Sequence, residues 1–206
     1  MAHRTLRWLL TALLALSTMT LASCELFEDT EDLLAINIPL EYEIPQALPI
    51  IIPGSEAIAN SPVENGEIVI DIPTVYLPVD IAGQDERLSA GTSVVKSVQI
   101  VGMDMTIDEN TLDIPIQPIE LRIGTTDQDF DQALPVAITS ELAPGFTGTD
   151  VAEIIAQNSE AAGEYVGNLQ FGIGMGTQLI IPEDNIPEGG QANARFTLRL
   201  NIKIAP

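Results

Sequence analysis

The chain has 206 residues, of which 46% are apolar and 18% charged, a balance that excludes intrinsic disorder and supplies a core of ordinary size. Thirty acidic residues stand against eight basic ones, a formal charge of −22 that repels phosphate backbones and anionic headgroups, so nucleic acid is excluded as a partner. The single histidine, tryptophan and cysteine are His3, Trp8 and Cys24, so nothing beyond residue 24 can build a Ser-His or Cys-His nucleophile, a His/Cys zinc site or a tryptophan sugar platform.

Residues 1–23 open with Arg4 and Arg7, continue as the apolar run Trp8–Leu21 and end in the small residues Ala22 and Ser23. This is the layout of a secretory signal peptide. The run has 14 residues, whereas a permanent membrane helix takes about 20. Leu21-Ala22-Ser23-Cys24 resembles the lipobox of bacterial lipoproteins. The resemblance implies cleavage before Cys24, a diacylglyceryl thioether on its sulfur and a further acyl chain on the new amino terminus, enough for stable anchoring. It also implies a sorting outcome: Glu25 stands where inner-membrane lipoproteins of many Gram-negative bacteria carry Asp, which favours the outer membrane. With the leader gone, six basic residues face 30 acidic ones, a formal −24, so attachment must come from the lipid.

Residues 24–33 form an acidic tether, and ten extended residues reach at most about 35 Å. Residues 34–206 are expected to form one domain, with 82–93 the stretch where any subdivision would fall. Period-2 alternation predicts strands over 35–44, 67–72, 74–81, 118–123 and 194–204. In 93–114 the apolar parity shifts from Val98 and Ile100 to Met103, Met105 and Ile107, as a bulge at Val101-Gly102 would make it do. Turn signals at Asn65-Gly66 and Gly189-Gly190 separate the runs. Together these predict a mainly β chain, an antiparallel β-sandwich of immunoglobulin-like or similar kind. One short α-helix is expected near 150–162, where Asp150 and Glu153 have capping-box spacing and Val151, Ile154 and Ile155 repeat at helical spacing. Proline follows Ile or Leu ten times, which places those strands at edges or makes them begin late or break early.

Two acidic loops are candidates for calcium, which takes oxygen ligands at about 2.3–2.6 Å. The first carries Asp127, Asp129 and Asp131; it departs from an EF-hand loop, with Gln132 at the glycine position and Ile138 at the final glutamate. The second carries Glu183, Asp184 and Glu188. Gly172, Gly174 and Gly176 are spaced G-x-G-x-G, which is not a dinucleotide fingerprint; on a strand they leave one face bare for close packing. The expected function is that of a lipid-anchored cell-envelope lipoprotein with a non-catalytic, structural, accessory or protein-binding sandwich. No cofactor other than calcium is expected. A calcium-dependent adhesion or glycan-binding module is the alternative, and a carboxylate-based hydrolase the second, motivated by the supply of acids alone.

Overall fold

A strand that alternates apolar and polar side chains can bury one face, and every run read that way is extended in the computed structural model, which describes residues 35–54, 58, 61–89 and 94–205. Cys24, the leader expected over 1–23 and the tether expected over 24–33 lie outside the described residues. The strands are β1 (Ile36–Glu43), β2 (Leu48–Ile51), β3 (Val63–Glu64), β4 (Glu67–Asp71), β5 (Val75–Asp80), β6 (Val94–Asn110), β7 (Glu120–Gly124), β8 (Leu134–Ile138), β9 (Gly148–Val151), β10 (Glu153–Ile154), β11 (Gln170–Gly176), β12 (Gln178–Pro182) and β13 (Gln191–Ala205). The described helices include α1 (Glu86–Ser89) and α2 (Ser159–Gly167); among the described residues no helix is long and apolar enough to cross a membrane.

The strands form an antiparallel β-sandwich. One sheet runs β1-β13-β6-β9, with β2 continuing beside β13 past the end of β1; the second runs β10-β8-β7-β11-β5, and a small third runs β12-β4-β3. Ile38, Met103, Met105, Phe196 and Leu198 from the first sheet and Leu121, Ile123, Phe171, Ile173 and Met175 from the second belong to one contiguous buried cluster. Burying a side chain of this size contributes about 1.5–3 kcal/mol. The stretch 82–93 holds a 3₁₀ turn (Ala82–Gln84) and α1, where the chain leaves β5 of the second sheet for β6 of the first. Asn65 and Gly66, at φ +55° and +84°, make the predicted tight turn between β3 and β4.

β6 carries the bulge its sequence announced. Gly102 pairs with Arg199 and Ile100 with Leu200, so Val101 is the extra residue; the apolar parity changes there and Val101 turns outward, 52% exposed.

The helix lies later than the sequence suggests, at Ser159–Gly167, and residues 148–154 are extended. Asp150 caps no helix: its carboxylate accepts from the Ser140 amide at 3.2 Å and hydroxyl at 2.8 Å. The segment crosses from the first sheet, where Val151 pairs with Asp104, to the second, where Glu153 pairs with Ile138. Ladder pairing on both sides outweighs the local helical pattern. Once past the crossing, α2 lies against β6, and a Cβ on Gly163 would stand 2.5 Å from the Val98 carbonyl. Close packing there depends on that glycine.

Hydrogen-bond parity explains the prolines. Ile44 donates to Phe196 and Ile52 to Gly190, so even-numbered residues of β1 and β2 point their amides at β13, and odd-numbered ones point them away. Pro39 and Pro49 are odd-numbered. Ile81 donates to Leu169, which turns the nitrogen of Pro78 outward from β5, and Ile72 donates to Thr177, which does the same for Pro182 in β12. Pro135 sits beside a register shift in β8, its carbonyl taken by the Asn158 side chain at 2.7 Å. Each of these four edge strands thus has a proline where an added strand would need an N–H.

Candidate functional site

β4 and β5 pair with β12 and β11, so the two small ladders are one bent ribbon. Two residues separate Met175 from Gln178 while three separate Asp71 from Val75, and the extra residue lets the ribbon turn out of the second sheet around Pro73. The Ile72 amide donates to the Thr177 carbonyl at 3.1 Å and holds the elbow shut. In its crook lies a groove of ≈ 640 Å³, walled by Asp71 and Gln178 on one side and Glu120, Arg122 and Phe130 on the other. Thr177 is buried at its base, its hydroxyl donating to the Gln117 carbonyl at 2.9 Å, and the Gln178 side chain donates to Asp71 at 2.8 Å.

Arg122 organises the far wall. Its Nε donates to Glu120 at 3.1 Å, its Nη1 reaches the carbonyls of Phe130, Asp131 and Ala133 at 3.4, 3.1 and 3.4 Å, and its guanidinium carbon lies 4.8 Å from the centre of the Phe130 ring. The side chain is only 21% exposed, so these bonds to a charged donor operate where water competes little. The guanidinium is committed to its own loop. What remains facing the groove is a surplus of acceptors, with the carboxylates of Asp71, Glu120 and Asp131 set against one cation.

The first acidic loop is built by short-range bonds. The Thr125 hydroxyl donates to Asp127 at 2.6 Å, which holds that carboxyl below its usual range, and Gln128 accepts from the Thr125 amide at 2.9 Å. Asp129 precedes a 3₁₀ turn (Phe130–Gln132) that contains Asp131. Glu183 and Asp184 follow β12, where they border a shallow hollow beside Gly66, and the Glu183 amide donates to the Gly66 carbonyl at 3.0 Å; Glu188 is exposed further along the same connection. Among the described residues no three His, Cys, Asp or Glu side chains stand where they could hold a metal ion, so neither trio is gathered.

The glycine stripe of β11 is filled from inside the chain. The Tyr76 hydroxyl and the Thr125 carbonyl occupy the space a Cβ on Gly172 would take, and the rings of Phe130 and Tyr76 lie 2.7 and 2.9 Å from where one on Gly174 would be. Tyr76 donates to the Thr125 carbonyl at 2.8 Å, and burial, with the Asp127 charge behind it, pushes its pKa up. Of the groove residues, Arg122, Phe130, Thr177 and Gln178 were not singled out from sequence. Glu120 and Arg122 share the polar parity of their strand, and the bare glycine face marked the neighbouring one; no sequence signal joins the four segments.

No family model matches the sequence, and no curated protein does. Among solved structures, similarity is found to one of infectious bursal disease virus, Gx strain (TM-score 0.36, 9% identity), covering 82% of this chain and 32% of that one. The chain thus spans about a third of that relative's length. Turnip yellow mosaic virus gives a TM-score of 0.32 at 10% identity, over 82% of this chain and 79% of that one. A decameric BFDV capsid protein gives 0.35 at 10%, over 82% and 98%.

Proposed function

We infer that this chain is an exported lipoprotein, cleaved before Cys24 and acylated there, which holds a non-catalytic β-sandwich at the cell envelope as a structural, accessory or protein-binding module. The observation that carries the reading is Leu21-Ala22-Ser23-Cys24 standing just twelve residues ahead of Ile36, the first residue of β1. Twelve extended residues span at most about 43 Å, so the domain works close to its membrane. The absence of histidine and cysteine after residue 24 supports a binding role over nucleophilic catalysis, and Glu25 supports the outer membrane.

Mass spectrometry of the membrane-extracted protein tests this. The expected product lacks residues 1–23 and carries acyl chains at Cys24, and Cys24→Ala should leave the membrane fraction. An unmodified thiol, or a Cys24→Ala chain still membrane-bound, overturns the reading. Cross-linking on intact cells, with Cys24→Ala as control, then identifies a stoichiometric partner.

A further inference from the structure

We propose that the free edge of β9 is where a partner docks, by adding an extended, cationic polypeptide segment as a further strand of the first sheet; this rests on the protein-binding reading above and gives it a surface. The starting point is the contrast among edges. β1, β2, β5 and β12 each carry a proline at an outward-facing nitrogen, and α2 covers the N-terminal half of β6 at Val98. Among the described edge strands longer than two residues, β9 alone has no proline.

Its ladder leaves the outward groups defined. Ala152 donates to Met103, so Gly148 and Asp150 turn their backbone groups toward β6, and Thr149 and Val151 turn theirs away. No described residue accepts from the Thr149 or Val151 amide. The side chain of Val151 is 62% exposed, among the most exposed large apolar side chains of the described chain. Two N–H groups and two carbonyls at the spacing of alternate residues, beside an exposed β-branched side chain, are what strand addition uses: main-chain bonds give affinity and alternate side chains give selectivity.

Charge selects the kind of segment. Glu153 follows the edge in the chain, and Glu160 and Glu164 lie on the helix that covers the adjoining half of β6; all three are exposed and none is in an ion pair among the described residues, whereas Asp150, within β9, already accepts from Ser140. Asp104, opposite Val151, is already paired with Arg199 at 2.9 Å. A second copy would bring another −22 to an already acidic edge, whereas a lysine- or arginine-bearing strand meets opposite charge.

The test uses the full lipidated chain in detergent, with a seven-residue peptide alternating valine and lysine as probe and its valine–glutamate counterpart as control. Hydrogen exchange is read at the Thr149 and Val151 amides. With peptide at about ten times its Kd, exchange there should slow by about tenfold, and the glutamate peptide should have no effect. Val151→Pro removes one outward N–H and leaves the β6 ladder intact, so it should abolish protection. Val151→Lys keeps the N–H and opposes the probe's charge, so it should weaken binding even if the proline variant folds poorly. Protection elsewhere, or unchanged binding by both variants, overturns the proposal. So does a dimer of the protein alone that Val151→Pro converts to monomer, since the edge then takes a second copy. If the peptide fails to bind while intact cells still yield a stoichiometric cross-linked partner, the edge assignment falls and the module reading stands; loss of both removes both.

Discussion

Two residues do work that their chemistry alone would not suggest. Gly163 is in the middle of a short helix, where alanine is ordinarily better by about 1 kcal/mol. Here a methyl group would meet the Val98 carbonyl of β6, which cannot rotate aside as a side chain can. Overpacking of this kind costs about 1–3 kcal/mol, which offsets or exceeds the propensity gain, so Gly163→Ala should show no stabilisation and a net loss of up to about 2 kcal/mol in urea unfolding. Tyr76 is the second. Burial raises its pKa above the ordinary 10.0, so the folded state holds the phenolic proton more tightly than the unfolded state does. The associated stability is complete below pH 10 and is lost as pH rises through the folded value. Stability measured by unfolding from pH 8 upward should therefore fall above pH 10 in the native chain and stay flatter in Tyr76→Phe, which also gives up the bond to Thr125, worth about 1 kcal/mol.

At the scale of elements, proline parity is a property that can be inverted. Pro78→Val would restore an outward N–H on β5 and extend its apolar character without disturbing the bonds to β11, which use the odd-numbered residues. The variant should self-associate in sedimentation velocity more than the native chain does at the same concentration. The alternation that made β1, β4, β5, β7 and β13 legible is local, since one buried face imposes period 2 on a strand whatever its neighbours are. Even the bulge at Val101 could be read, because an inserted residue moves every following side chain to the other parity. The segment 148–154 could not be read: its helical spacing is real, but the choice between helix and strand is made by Asp104 and Ile138, which lie far away in the chain. The groove was hidden for the same reason, as its walls come from β4, β7, the loop after β7 and β12. The acidic trios are near in sequence, yet among the described residues no three carboxylates stand where they could hold a metal ion.

For the molecule as a whole, charge and topology set the terms. A formal −22 is a self-repulsion that folding concentrates, and mobile ions relieve it: raising ionic strength from about 0.01 to 0.15 M shortens the screening length from about 30 to about 8 Å. The melting temperature should rise by a few degrees over that range, about the effect of 1 kcal/mol in a domain of this size. Salt should also weaken any cationic strand at β9, so the two effects separate folding from docking in one titration. The corner at which β1 begins has a mechanical meaning as well. Ile36 pairs with Ile204, whereas β9 lies three strands across the sheet and opposite the 194–197 end of β13. From corner to edge is about 14 Å across the strands but about 27 Å along them. Tension between a lipid at the amino terminus and a partner on β9 would therefore run mainly along the strands and load the rungs between β1 and β13 together, in shear. Pulling the same chain between residue 36 and residue 205 would open those rungs one after another, like a zipper. Single-molecule stretching between positions 24 and 151 should accordingly need a markedly larger force to detach β1 than stretching between the two chain ends.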